Sequence, residues 1–125
     1  MLQDPRIGYP SDECLIHIYR SGKLALTRKA CSLLGLDDDS RIGFKIDSRP
    51  GRNLICIGTR GHLTYGVIRV GNHYRVRSTS LCRFLAESLQ GYGTYRIESE
   101  SPMLSLSGDK YYPIFFRKYE YERND

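Results

Sequence analysis

The side chains best suited to metal binding or nucleophilic catalysis are four cysteines and three histidines, and their spacing is typical of neither chemistry. These residues are Cys14, Cys31, Cys56, Cys82, His17, His62 and His73. No two cysteines form a CxxC pair, and no histidine lies at zinc-ligand spacing from them. The pattern predicts buried thiols that pack as small hydrophobic groups, with no metal and no cofactor.

The chain lacks the local motifs that mark many catalytic sites. It contains no GxSxG, no P-loop, no GxGxxG and no HExxH. A nucleophile and base could be drawn from Cys56 and His62, but no local signature surrounds them. The sequence therefore predicts that the protein is not an enzyme.

The charge pattern indicates an anionic partner instead. The net charge is +5, and residues 48–86 contain arginines but no Asp, Glu or Lys. These arginines are Arg49, Arg52, Arg60, Arg69, Arg75, Arg77 and Arg83. An acid-free arginine segment attracts phosphate or carboxylate unless acids from elsewhere in the fold neutralise it. Both interpretations stay open at this stage.

The first half of the chain has the pattern of a hairpin followed by a short helix. Apolar residues alternate over Cys14–Arg20, and Gly22 supplies a tight turn to a return strand. Thr27 is suited to cap a helix over Arg28–Leu34, and Gly35 fits the left-handed position after it. Further strands are predicted over Arg41–Asp47 and Leu54–Ile57.

The second half repeats this order. A strand over Leu63–Val70 leads into a hairpin, and a helix capped by Ser78 or Thr79 ends at Gly91. The last strand pair is predicted over Gly93–Glu98 and Lys110–Arg117. Because Pro113 has no N–H to donate, its strand should lie at a sheet edge or begin after it.

The register of the second hairpin decides where its arginines lie. A two-residue Gly71-Asn72 turn would set Arg75 beside Ile68 and mix polar and core faces. A three-residue loop that includes His73 would pair Val70 with Tyr74 and keep the apolar residues together. It predicts an exposed cluster of Arg69, Arg75 and Arg77 on a two-stranded ribbon.

These elements predict an α+β, mainly β fold in which two similar β-hairpin/short-helix/β-hairpin units share one barrel-like core. Residues 1–125 form a single domain, with an extended segment over 1–13 and pseudo-repeat units over about 14–59 and 63–118. Cys31 and Leu34 match Cys82 and Leu85 when one residue is gapped before the helix.

Residues 14–47 resemble the SpoVT/AbrB swapped-hairpin family. The resemblance rests on Gly22-Lys23, on Leu24 and Leu26, and on Leu34-Gly35-Leu36 at the helix end. It implies two interlocked units that present basic residues to DNA. The chain departs from the family at Thr27, where proline is usual, and at Cys31-Ser32, where arginines are common.

The leading hypothesis is a nucleic-acid-binding module, with a DNA-binding regulator among the options, that uses an arginine-rich face. The predicted contact residues are Arg20, Lys23, Arg28, Lys29, Arg69, Arg75 and Arg77. A variant is single-strand binding with tyrosines as stacking surfaces, such as Tyr65, Tyr92, Tyr95, Tyr119 and Tyr121. The alternative is a non-catalytic assembly module that pairs through edge strands and the aromatic C-terminal strand.

No apolar run reaches the roughly 20 residues that span a bilayer, and the first residues lack a signal-peptide pattern. We therefore expect a cytoplasmic protein with no membrane partner. DNA, RNA and protein partners, and a homo-oligomer, all remain open.

Overall fold

The computed structural model describes residues 13–48, 50–51, 53–61 and 63–116. These residues form the elements β1 (Leu15–Ile18), β2 (Lys23–Leu26), α1 (Arg28–Leu34), β3 (Arg41–Asp47), β4 (Leu54–Gly58), β5 (Thr64–Gly66), β6 (Ile68–Val70), β7 (His73–Arg77), α2 (Thr79–Ser88), β8 (Gly93–Ile97), β9 (Met103–Leu104) and β10 (Lys110–Phe116). The predicted segment over 1–13 lies outside the described residues except for Glu13.

The strands form one antiparallel sheet in the order β5, β3, β4, β10, β8, β1, β2, β7, β6, with β9 paired to β10. Its two ends, β5 and β6, belong to one stretch of chain that bends at Val67. The sheet is therefore nearly closed, which confirms the predicted mainly β, barrel-like fold. The internal duplication stays a prediction.

The barrel interior is filled by aliphatic and aromatic side chains from both halves of the chain. The largest fully buried members of this core are Ile16, Ile18, Leu24, Leu26, Ile42, Ile57, Val76, Leu85 and Tyr95. Successive side chains on a strand point to opposite faces of the sheet, so the neighbours of an inward-pointing residue point away from the barrel interior. The core thereby determines which side chains reach the surface.

Helix α1 begins and ends where its caps predict. The hydroxyl oxygen of Thr27 accepts hydrogen bonds from the backbone N–H of Ala30 at 3.4 Å and of Leu15 at 3.0 Å, and donates to the Glu13 carbonyl at 2.6 Å. Gly35 takes the left-handed conformation at φ 65°. Thr27 therefore ties the helix start to β1 as well as capping it.

The β1–β2 turn is packed against the start of α2. Gly22 has φ 93°, and a Cβ there would lie 2.6 Å from Oγ1 of Thr79. Its carbonyl accepts from the N–H of Ser78 at 2.8 Å, and Ser78 is the residue that caps α2. Glycine is required here both by its φ and by the close approach.

The three-residue loop predicted for the second hairpin is wrong. Val70 pairs with His73, and Ile68 pairs with Arg75, so the turn is the two-residue Gly71-Asn72. The prediction placed Ile68 in the core, but its side chain is 49% exposed on an edge strand. Burial of Ile68 therefore does not set the register.

Two strand predictions also need correction. The strand over Leu63–Val70 is divided at Val67, where the chain leaves β3 and joins β7. Both alternatives predicted for Pro113 are wrong, because β10 begins before it at Lys110 and has β4 on one side and β8 on the other. Pro113 lies where β10 changes partner, between Tyr112 paired to β4 and Ile114 paired to β8.

Candidate nucleic-acid interface

The outward side chains of β7, β2, β1 and β8 form one surface, which we call the outer face. Leu24 and Val76 belong to the core, so the alternate residues of β2 and β7 point outward. Lys23 pairs directly with Arg77, and Arg75 lies two residues from Arg77 on the same side. The outer face thus carries Lys23, Arg75 and Arg77 next to one another.

Within the described ranges, none of these three cations has a carboxylate partner. The ion pairs found there belong to three other arginines, Arg60, Arg69 and Arg96. The Nε atom of Arg75 is buried, and it has no hydrogen-bond partner in the structure. A buried donor without an acceptor carries a desolvation penalty, so an anion would contact Arg75 through the outer nitrogens of its guanidinium.

Aromatic rings continue the outer face beyond the cations. The Tyr19 N–H donates to the Lys23 carbonyl at 2.9 Å, and the Lys23 ammonium lies 4.5 Å from the centroid of the Tyr19 ring. The Arg20 guanidinium carbon lies 4.8 Å from the centroid of the Tyr92 ring. Tyr92 lies just before β8, and its ring is partly buried against the core. The order across β7, β2 and the end of β1 is Arg77, Lys23, Tyr19.

His17 lies on the same face and is neutral at pH 7. Its Nδ1 is 2.8 Å from the hydroxyl of Thr94. Burial, and secondarily the positive charge of Lys23, lower the pKa of His17 to about 4. His17 therefore adds a polar, uncharged group to the outer face.

The predicted contact residues Arg28 and Lys29 lie away from Lys23, past the other end of β2. Both are exposed in the first turn of α1, which contains no acidic residue. Two cations at a helix N-terminus oppose the helix dipole, as the sequence indicated. The structure gives neither of them an ion pair within the described residues.

Arg69 does not join Arg75 and Arg77, so the predicted three-arginine ribbon is wrong. The two-residue turn pairs Arg69 with the core residue Tyr74, on the face opposite to Arg75. The Arg69 Nε contacts Oδ1 of Asp38 at 3.1 Å, and the Tyr74 hydroxyl donates to the same oxygen at 2.8 Å. These two hydrogen bonds, with that from Tyr74 the larger cause, lower the pKa of Asp38.

The remaining central arginines are dispersed. Arg60 lies 3.8 Å from an Asp109 carboxylate oxygen, and Arg83 is exposed on α2. Arg49 and Arg52 lie outside the described residues. The arginines of the acid-free segment therefore fall into two groups. Arg69 and Arg60 form ion pairs with Asp38 and Asp109. Arg75 and Arg77 have no carboxylate partner within the described structure.

The tyrosines proposed as stacking surfaces have different positions. Tyr95 is fully buried and donates its hydroxyl proton to the Gly91 carbonyl at 2.5 Å. Tyr65 is half-buried beside β3, and Tyr119 and Tyr121 lie outside the described residues. Tyr92 is partly buried against the core, beside the Arg20 guanidinium. Tyr19, with 41% of its surface exposed, was missed as a site residue, although its alternation with Ile18 already indicated the polar side.

A second surface is apolar. A groove of about 500 Å³ lies between β3, β4 and the first turns of α2. It is lined by Phe44, Lys45, Ile46, Ile55, Leu63, Tyr65, Ser80, Leu81 and Phe84. Leu63, Ile46 and Phe84 expose 76%, 50% and 43% of their surface. Groups of exposed large apolar side chains are typical of contact surfaces.

The cysteines have the positions of packing residues. Cys31, Cys56 and Cys82 are buried, and Cys14 is partly buried. Burial is the main cause that raises the pKa of the Cys14, Cys31 and Cys82 thiols, which disfavours the reactive thiolate. His62, suggested as a base for Cys56, lies outside the described residues.

Neither helix of the described chain is long and apolar enough to cross a membrane. Comparison of the chain with protein-family models, with curated proteins and with solved structures gives no match.

Proposed function

We propose that this protein binds nucleic acid through the outer face. The observation that carries the proposal is the adjacent group of Lys23, Arg75 and Arg77, which has no carboxylate partner within the described residues. Phosphate groups are the usual ligands of such a group. DNA and RNA share this chemistry.

Four further predicted contact residues take different parts in the proposal. Arg20 adds a fourth cation at the tyrosine end of the outer face. Arg28 and Lys29 supply positive field from α1 without touching the outer face cations. Arg69 is not proposed to contact nucleic acid directly, because it forms an ion pair with Asp38.

The strand pairing supports the further proposal that the barrel consists of two exchanged units, as the SpoVT/AbrB resemblance implies. One unit contains β1, β2, β3 and β4, and the other contains the bent strand β5–β6, β7, β8 and β10. The first strand of each unit pairs with the third strand of the other, β1 with β8 and β5 with β3. The second strands pair together, β2 with β7, and so do the fourth strands, β4 with β10.

Fluorescence anisotropy with labelled oligonucleotides tests the proposed function. The double variant Arg75→Ala/Arg77→Ala should bind at least about tenfold more weakly at low salt, since each charged contact contributes roughly 1 kcal/mol or more. Its matched control, Lys45→Ala/Arg83→Ala, removes the same charge from other surfaces and should bind within about threefold of the wild type. Equal losses in both double variants would refute a localised site.

The alternative function is assembly with a second copy through the apolar groove. β10 does not support it, since this strand has neighbours on both sides, and the rest of the aromatic run, residues 117–121, lies outside the described residues. The exposed Leu63, Ile46 and Phe84 do, because a self-complementary contact would bury them on two copies at once. Light scattering should then give a dimer that Leu63→Asp dissociates. A monomer across the micromolar range would refute the assembly hypothesis.

A further inference from the structure

We propose that the outer face takes single-stranded rather than double-stranded nucleic acid, an inference that rests on the proposed function. It names the ligand class of the site and assigns separate parts to its cations and its tyrosines. Two features of the structure support it, the width of the sheet that carries the cations and the rings that lie beside them.

The cations lie within a continuous sheet and not on a free ribbon. β7 is hydrogen-bonded to β6 on one side and to β2 on the other, and β2 is hydrogen-bonded to β1. At about 4.8 Å per strand, the five strands from β6 to β8 span roughly 19 Å. The major groove of B-DNA is about 12 Å wide and admits a helix or a two-stranded ribbon. Arg75 and Arg77 therefore cannot reach base edges in that groove.

The tyrosines beside the cations fit unpaired bases. Tyr19 follows Arg77 and Lys23 in the order across the sheet, and the partly buried Tyr92 ring lies beside the Arg20 guanidinium. Bases stack on aromatic side chains only when they are not enclosed in a duplex. Phosphates over Arg75, Arg77 and Lys23 would direct the unpaired bases toward the two rings.

The cations near the rings strengthen this arrangement. Lys23 and Arg20 each lie within 5 Å of a ring centroid, which holds the side chains in place on the free protein. A face already ordered in this way loses less conformational entropy when a ligand binds. The guanidinium plane of Arg20 is also a surface on which a base can stack.

The test uses the full chain and four labelled probes of about twelve nucleotides, a length within the range that one small β-barrel covers. The probes are oligothymidylate, oligouridylate, a DNA duplex and an RNA duplex. Binding of each probe is measured by fluorescence anisotropy at about 50 mM salt. We expect one or both single strands to bind at least tenfold more tightly than either duplex. The preferred single strand then identifies DNA or RNA as the source of the ligand.

Variants separate stacking from charge. Tyr19→Leu/Tyr92→Leu should weaken single-strand binding by about tenfold or more and leave duplex binding within twofold. Tyr19→Phe/Tyr92→Phe keeps both rings and should bind as the wild type does. Photo-crosslinking of the wild type to a 5-iodouracil oligonucleotide, followed by peptide mapping to Tyr19 or Tyr92, gives the same information if the leucine variant does not fold.

The outcomes distinguish the inference from the function on which it rests. Duplex bound as tightly as single strands, no effect of the leucine variant, or crosslinks that avoid both tyrosines would overturn the single-strand inference and leave nucleic-acid binding standing. No binding of any of the four probes at low salt would overturn both.

Discussion

Replacing His17 by glutamine should remove an acid-sensitive step in the stability of this protein. In the folded chain the pKa of His17 is about 4, lowered by burial and by Lys23, against 6.5 for an exposed histidine. The unfolded chain therefore binds a proton more readily between these values. Stability is fully present above pH 6.5 and is lost as the pH falls toward 4. His17→Gln keeps a polar group beside Thr94 but does not titrate.

The size of the effect follows from that pKa difference. One pKa unit corresponds to about 1.4 kcal/mol, so protonation of folded His17 costs about 3 kcal/mol at pH 4. This is a large part of the 5–15 kcal/mol that holds a typical domain folded. His62 and His73 are retained in the variant, so their contribution cancels in the comparison.

Urea denaturation of both proteins from pH 7.5 to pH 4 measures the difference. The free energy of unfolding of the wild type should fall by about 3 kcal/mol more than that of His17→Gln over this range. An NMR titration of the His17 ring gives an independent check, with a midpoint near 4. Parallel stability curves for the two proteins, or a ring that titrates near 6.5, would refute the reasoning.

Three further predictions concern the fold. Gly22→Ala should lower the free energy of unfolding by about 2 kcal/mol or more, because alanine is strained at φ 93° and its Cβ would also meet Thr79. Chemical denaturation measures this loss, and an unchanged midpoint would contradict the packed turn. Thr27→Ala should cost about 1–2 kcal/mol, and Thr27→Ser should restore most of it, because the hydroxyl caps α1 and bonds β1. Separate fragments 1–61 and 62–125 should each lack a stable fold and regain the far-ultraviolet spectrum on mixing, because β1 pairs with β8 and β2 with β7; a fragment that folds alone would refute the exchanged-unit proposal.

Local signals in the sequence were enough for the elements whose ends are fixed by their own residues. Helix α1 matches its predicted bounds because the Thr27 hydroxyl and the left-handed Gly35 act within one turn of it. The strand Arg41–Asp47 was also predicted with its observed bounds. In these cases a short stretch of chain contains the whole physical reason.

The errors arose where a distant partner decides the outcome. The register of β6 depends on the bend at Val67 that brings Thr64–Gly66 onto β3, and nothing near Gly71 signals it. Arg69 is neutralised by Asp38, which lies 31 residues earlier in the chain. Pro113 is tolerated inside the sheet because its strand changes partner there.

Only the part of the candidate site that depends on local sequence could be predicted. Arg75 and Arg77 follow from strand alternation, since Tyr74 and Val76 on the same strand are apolar. Their position beside Lys23 could not be predicted, because it requires the pairing of β2 with β7 across the two halves of the chain.

The most direct test of the central claim is the salt dependence of single-strand affinity. Three phosphate contacts, by Lys23, Arg75 and Arg77, should give a slope of log K against log salt of about −2 for the wild type. Arg75→Ala/Arg77→Ala should reduce it to about −0.7, and Lys45→Ala/Arg83→Ala should leave it unchanged. A wild-type affinity that stays flat between about 50 and 200 mM salt, or a slope that the Arg75/Arg77 variant does not change, would contradict the proposed nucleic-acid interface.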